Sequence, residues 1–472
     1  MDGRAPWLLS GCLGLGVGWA TDARQLWPAH AAGTAEASAL VADLPSARWQ
    51  HEHSLVALQG ERFVLASGAR TQRGFFGWLQ ADHPAASGPD DLSVMDQVLA
   101  LPEARWTPPP SMADDGGEAG NLFATAPLFA AREARADAHE LHAWYPGPWR
   151  HVEADAQGVL RSFFAGADTH VVTQAKAGAV LRPHGHLLRS GTHWTPDERA
   201  LTSTVWMAGV FHSALTQGHA SANRLLSNQR GHLGFQRAQG LRLFVDAGEG
   251  WQLLHQPSAF SMTPQACTWH YRSEHAHIVV HTEAALLAPE VHLALEVLQG
   301  PPVKVLAVHH VALDNDDGLA EGAVHWQPCD GGLSLWPAPD SETALRFPGG
   351  CWKLLHAGGS AWGRVQGDEA LFADGRSRAQ PCLCLHYEPT RALALTLRGE
   401  LLTEADTALR GDDVPGERAV RLQVPARQTD HPMARPAAAG LAQLGEWLPW
   451  LNHNALVHYL APRGLEQFSG GG

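Results

Sequence analysis

Residues 202–254 combine directional polar side chains with aromatic ones at close spacing. His212, Gln217, His219, Asn223, Arg224, Asn228 and Gln229 are threaded between Trp206, Met207, Phe211, Leu225 and Leu226. Donors and acceptors set among rings suit a hydroxyl-rich ligand such as a sugar. The candidate contacts are Trp206 for stacking on a sugar face, with His212, Gln217, His219 and Asn223 for hydroxyls. The same pattern also fits a β-sandwich corner with hydrogen-bonded turns, and spacing alone leaves both readings open.

Other chemistry is weaker. His184-Gly-His186 places two imidazoles on one strand face, and His309-His310 precedes Asp314, Asp316 and Asp317. A metal site needs three or four converging ligands with a supporting shell, and neither pattern supplies one, so no metal ligand is assigned. The acidic run also lacks the bidentate acid of a calcium loop. There is no HExxH and no GxSxG, and the scattered acids single out no glycosidase pair. No catalytic residue is assigned. A metal-dependent hydrolase built on the 28 histidines is carried only as a third reading.

These side chains must be positioned by strands. The chain has 472 residues, 45% hydrophobic and only 17% charged, with 48 Gly and 31 Pro, which indicates large cores and many turns. Strands are predicted at His170–Thr173, Leu241–Asp246, Gly250–Leu254, His277–Thr282, Val291–Val297, Val303–Ala312, Pro381–Tyr387 and Ala392–Leu397. Turn signals at Asp246-Ala-Gly248, Asp314–Gly318 and Pro348-Gly349-Gly350 separate several of them. Long alternating helices are absent, so the pattern indicates an antiparallel sandwich and not an α/β fold.

Upstream, Trp7 to Trp27 reads as one glycine-bulged strand. His53–Leu65 and Thr71–Leu79 read as strands around a turn at Ser67-Gly68. Asp90–Leu101 reads as a short helix capped by Asp90 or Asp91. Thr107–Gly120 is a loop and a boundary, and Leu122–His142 has mixed helical character. Ala426–Pro436 is a polar linker. Leu441, Leu444, Trp447, Leu448, Leu451, Leu456, Tyr459 and Leu460 then follow helical spacing, divided by Pro449. That apolar face expects a partner surface, and deletion after about Pro436 is expected to improve solubility.

The net charge is −14, and Lys176, Lys304 and Lys353 are the only lysines. Without a basic stripe, nucleic acid is excluded as a partner. No run is long and apolar enough to span a membrane. Six sparse cysteines, with Cys382 and Cys384 on one strand face, indicate reduced thiols and a cytoplasmic setting. Leu9-Ser10-Gly11-Cys12 matches a lipoprotein cleavage box by chance, since too short an apolar run precedes it.

Several segments together resemble a known family. They are Thr204–Phe211, Asn223–Asn228, Gly240–Val245 with Trp251–Leu254, Phe75–Pro84, Trp450–His458 and Gly464–Gly470. In this order they resemble glycoside hydrolase family 94, the inverting β-glucan phosphorylases. Within it they resemble the 1,2-β-oligoglucan phosphorylases, relatives of cellobiose phosphorylase. The resemblance implies a mainly β chain: a large antiparallel β-sandwich (supersandwich), then an α-helical linker leading into an (α/α) toroid absent from this chain. The implied division is a partial β region with a short helix over 1–120, the sandwich over 121–425, and the linker with the start of the toroid over 426–472.

In the family one toroid acid protonates the glycosidic oxygen while inorganic phosphate attacks the opposite face. The Trp-Gly and Arg-Asp expected after Gly472 are missing, so no residue here inherits the acid's role. The earlier strands of the first sheet are also not all present, and the chain is expected to be a segment of a longer enzyme. The implied function is the sandwich-and-linker portion of a β-1,2-gluco-oligosaccharide phosphorylase, not catalytic alone. The implied partners are the glucan and a toroid domain or partner chain. No cofactor is implied, with inorganic phosphate the co-substrate of the full enzyme. The alternative is a stand-alone carbohydrate-binding or scaffold module.

Overall fold

The computed structural model describes residues 5–22, 25–26, 42–48, 54–105, 120–129, 135–166, 168–180, 184–191, 200–217, 224–225, 240–311, 313, 324–401, 447, 450–451, 459–460 and 467–468. The chain divides into two compact units, one over Met1–Glu118 and one over Ala119–Arg230 and Gly234–Gly472.

In the first unit the apolar, glycine-rich start forms two strands, not one: β1 (Trp7–Cys12) and β2 (Gly16–Asp22). They have different partners. β3 (Ser54–Gly60) pairs with β2, and β4 (Phe75–Gln80) pairs with β1, all antiparallel. The turn at Ser67-Gly68 therefore joins strands that do not pair with each other. A 3₁₀ turn (Pro89–Ser93) leads into α1 (Val94–Ala100). Asp91 acts from inside the first turn and is not the N-cap: its carboxylate accepts the Gly88 N–H at 2.7 Å.

The second unit holds the sandwich. Its strands are β5 (Trp149–Ala154), β6 (Leu160–Ala165), β7 (Thr169–Thr173), β8 (Gly185–Arg189), β9 (Leu201–Trp206), β10 (Val210–Gln217) and β11 (Arg224–Leu225). β12 (Leu241–Asp246), β13 (Gln252–Leu253), β14 (Ala259–Met262), β15 (Ala266–Arg272), β16 (His277–Ala284), β17 (Glu290–Gln299) and β18 (Val303–His310) follow. β19 (Trp326–Cys329), β20 (Gly332–Leu335), β21 (Cys351–Ala357), β22 (Arg364–Gln366), β23 (Cys382–Thr390) and β24 (Ala392–Glu400) complete it.

They make three antiparallel sheets. The largest has eleven strands in the order β19-β20-β21-β24-β17-β16-β15-β14-β7-β6-β5. The others run β13-β12-β18-β23-β22 and β11-β10-β9-β8. One core joins all three. On the large sheet alternate residues turn inward: Ile278 and Val280 on β16, Val291, Leu293, Leu295 and Val297 on β17, and Leu393, Leu395 and Leu397 on β24. Leu188, Leu201, Val205 and Phe211 meet them from the four-stranded sheet, and Leu243, Val305 and Leu385 from the five-stranded one.

The five-stranded sheet is buried on both faces. Its second face packs Phe244, Leu306, Val308, Cys382 and Cys384 against Phe123 of α2 (Leu122–Thr125) and Leu371. This explains why Leu241–Val245 and Cys382–Leu385 read as continuous apolar runs. The six cysteines are free thiols. On the outer face of the large sheet, α3 (Ala138–Trp144) packs Leu141 and Tyr145 over Phe163, Val171 and Ala259. Two shorter helices, α4 (Gln174–Ala179) and α5 (Glu342–Arg346), follow β7 and β20.

Beyond Leu401 few residues are described, and the 426–436 linker lies outside them. Trp447, Trp450 and Leu451 are helical, as the spacing indicates. Tyr459–Leu460 are not: they pair antiparallel with Gln467–Phe468. Pro462 and Gly464 between those pairs disfavour continuing a helix. Of the described helical residues of that apolar face, Trp450 packs against the main core, whereas Trp447 and Leu451 stay exposed.

Candidate functional site

The described sequence candidates, Trp206, His212 and Gln217, do not gather into one wall. On β9, Leu201, Ser203 and Val205 are buried inward, while Thr202, Thr204 and Trp206 lie half-buried on the opposite face. Trp206 packs over Gly185 of β8 so closely that no Cβ fits there. Its carbonyl accepts the Trp269 Nε1–H at 3.1 Å.

His212 faces the other way. Between the pairs Val210↔Trp206 and Ser213↔Thr204, β10 advances three residues while β9 advances two. This bulge turns both Phe211 and His212 into the core. His212 is fully buried, with Nδ1 3.2 Å from Ser203 Oγ and Nε2 3.2 Å from Thr282 Oγ1. The Thr282 hydroxyl donates its one proton to the His292 carbonyl at 2.8 Å, so it accepts from His212 Nε2–H. Burial pushes the imidazole down to about 3, and the neutral ring then accepts from Ser203 at Nδ1. Both nitrogens are occupied, so His212 links three strands and has no bond left for a ligand hydroxyl.

Gln217 is also buried, its amide lying over Gly399 of β24 where any side chain would collide. His219 and Asn223 lie outside the described residues. The strand bulge thus corrects the sequence grouping: Trp206 and His212 occupy opposite faces of one sheet.

The paired histidines behave differently from the metal pattern they suggest. Among the described residues, no group of three His, Cys, Asp or Glu side chains is arranged to hold a metal ion. His309 is fully buried, and neither ring nitrogen has a hydrogen-bond partner. Burial lowers its pKa to about 3. The acids Asp314, Asp316 and Asp317 lie outside the described residues.

His184 and His186 instead join a cluster that sequence reasoning did not assemble. They lie within electrostatic range of His170 of β7, as do Lys176 of α4 and Glu153 of β5. Lys176 and Glu153 form an ion pair, and Ser162 Oγ donates to Glu153 Oε2 at 2.9 Å. The lysine and serine hold the Glu153 carboxyl below its usual range. Burial lowers His170 and His186 to about 4, and lowers His184 as well.

Aromatic rings flank this cluster. Phe164 stacks on His170 with centroids 4.6 Å apart, and Trp447 meets Phe164 edge-on at 5.0 Å. The exposed His151 lies 5.4 Å from Trp447, and Trp450 meets His186 at 5.2 Å. The only signals in the sequence were the His184-x-His186 pair and the two tryptophans, far apart along the chain.

Chemically, the cluster offers neutral imidazoles, a compensated ion pair and ring faces. That set can hold a polar, uncharged molecule. It presents no opposed acid and base of the kind that cleaves a glycosidic bond.

Comparison with known proteins agrees with the architecture. Residues 147–399, more than half of the chain, match the family model described as the glycoside phosphorylase supersandwich domain. Residues 1–77 match the model described as the SOGP N-terminal domain. The chain is 24% identical over 473 aligned residues to a 1,2-beta-oligoglucan phosphorylase of Listeria innocua serovar 6a. That alignment covers 99% of this chain and 41% of the relative's length.

Proposed function

Because the chain belongs to the glycoside phosphorylase supersandwich family, we propose that it is the sandwich-and-linker portion of an inverting β-glucan phosphorylase of glycoside hydrolase family 94. The substrate we infer is a β-1,2-gluco-oligosaccharide, with inorganic phosphate the only co-substrate and no further cofactor. The sandwich, taken as residues 121–425, supports a catalytic toroid and carries part of the carbohydrate contact. The general acid is supplied by the toroid. The observation that carries this reading is the alignment along 99% of the chain to a relative named for that activity.

Among the described sequence-chosen contacts, Trp206 has its side chain only half-buried, and it stays the proposed stacking residue on its sheet face. His212 and Gln217 serve the fold. The free thiols fit a reducing cytoplasm. Among the described residues no helix is long and apolar enough to cross a membrane. We propose neither a membrane nor a nucleic-acid partner. The test is co-purification with the catalytic portion of such a phosphorylase. A stable complex is expected, and failure of the two to associate at micromolar concentration would count against the reading.

A further inference from the structure

His151 has an unusual backbone. It is a non-glycine residue at φ +49° on β5, where strand pairing slips. Between Arg150↔Phe164 and Glu153↔Ser162, β5 advances three residues while β6 advances two. Side chains other than glycine resist this left-handed region, and such strain tends to collect where a side chain must be aimed. Here it carries an exposed imidazole to Trp447, which is 36% exposed and tilted 42° to it. Phe164 stands nearly perpendicular to both rings, 5.0 Å from Trp447 and 5.9 Å from His151.

The polar part lies on the same face. Phe164 pairs with His170 and Ser162 with Val172, which places Ser162, Phe164 and His170 on one side of β6 and β7. Ser162 and Lys176 bind one carboxylate oxygen of Glu153, whose side chain is 40% exposed. Lys176 retains N–H donors beyond this bond. His184, which lies within electrostatic range of Lys176 and Glu153, has a buried Nε2 with no hydrogen-bond partner. A buried nitrogen of this kind gains from a hydroxyl that reaches it.

The charges select the ligand. Lys176 is compensated by Glu153, and the buried imidazoles are uncharged near neutrality. Arg161 also acts on Glu153, but it alternates to the other face of β6 from Ser162 and Phe164, so this face itself carries no net positive charge. Ring faces bordered by mixed donors and acceptors match a pyranose, whose C–H face is apolar and whose rim is hydroxyl. We propose that this face, between the His151–Trp447 rings and the Glu153, Lys176 and His184 side chains, binds a glucosyl unit of a β-glucan oligosaccharide. The choice of sugar rests on the phosphorylase reading above.

The test is calorimetric titration of the full chain with β-1,2-gluco-oligosaccharides and, separately, with inorganic phosphate. His151→Gly suits the native backbone, so its unfolding midpoint should equal or exceed that of the parent. Its glucan affinity should fall about tenfold, as should that of Trp447→Leu, which keeps an apolar side chain at the docking position. Binding to the parent and both variants with equal affinity would overturn the site while leaving the sandwich a glucan binder. Absence of binding to the parent would also overturn it, even if the chain still supports turnover with its catalytic partner. Phosphate binding at this face in preference to glucan would overturn it in favour of an anion site.

Discussion

His309→Leu should stabilise the protein, and increasingly so as the pH falls. The parent imidazole is fully buried on β18, between Leu241 of β12 and Leu383 of β23. Both of its nitrogens are removed from water without a partner. Each such orphan costs about 1–3 kcal/mol. Leucine is similar in size, and imperfect repacking returns up to about 1.5 kcal/mol. The two orphans less that repacking cost leave a net gain at neutral pH of about 0.5–6 kcal/mol.

The pH term adds to it. In the unfolded chain a histidine takes up a proton below about 6.5. The folded His309 resists protonation until about pH 3. Between those values the unfolded state binds the extra proton, so stability falls as pH falls, by about 1.4 kcal/mol per pH unit. Leucine removes this loss, and at pH 5 the variant should gain about 2 kcal/mol beyond its advantage at neutral pH. Urea unfolding at pH 7.5 and pH 5.0, followed by tryptophan fluorescence, measures both effects. A variant less stable than the parent at pH 7.5 would refute the orphan argument. An unchanged pH dependence would refute the proton argument.

Three other outcomes are expected. His212→Ala leaves the His212-directed lone pair of Thr282 unpaired in the core and Ser203 Oγ with only its long 3.4 Å bond to the Thr204 carbonyl, and should cost about 2–5 kcal/mol in denaturant unfolding. Asp368→Ala removes a buried carboxylate that accepts from Ser377 Oγ at 2.5 Å, Arg378 N at 2.7 Å and Gln380 N at 3.1 Å. Amide exchange at Arg378 and Gln380 should accelerate at least about tenfold, a change that 1.4 kcal/mol of local destabilisation produces. Thiol titration at pH 8 should separate half-exposed Cys12 and Cys329, which react promptly, from buried Cys267, Cys351, Cys382 and Cys384. The buried thiols stay protonated, burial pushing Cys382 up to about 12 and Cys351 to about 11.

Strand locations were largely legible because a strand's burial pattern is local. Leu241–Asp246 begins and ends where its apolar run does, and β16, β17 and β24 differ from their expected spans only by a few terminal residues. Pairing was not legible. β3 and β4 flank one turn yet take different partners, and the Trp7–Trp27 run breaks after Cys12 so that its halves join separate strands.

The candidate site was legible in residue type but not in arrangement. An alternating pattern assigns faces correctly only while the register holds, and one added residue on β10 turned His212 inward, away from Trp206. Its polarity serves hydrogen bonds between strands. The His151–Trp447 contact depends on chain closure over almost the whole second unit, which no local window contains. The packing of Trp450 bears on the solubility expectation from both sides. Deletion after Pro436 would uncover the core surface under Trp450 while removing exposed Trp447 and Leu451.

The proposed role of this chain is to support β-glucan phosphorolysis without performing it. It is tested by supplying the purified chain and the catalytic portion of a 1,2-β-oligoglucan phosphorylase separately and together. Phosphate release is then followed from glucose 1-phosphate in the presence of a β-1,2-gluco-oligosaccharide acceptor. No release is expected from the chain alone, and turnover should rise and saturate as the chain is added to the catalytic portion. Release by the chain alone, or a catalytic portion whose rate is indifferent to the chain, would contradict it.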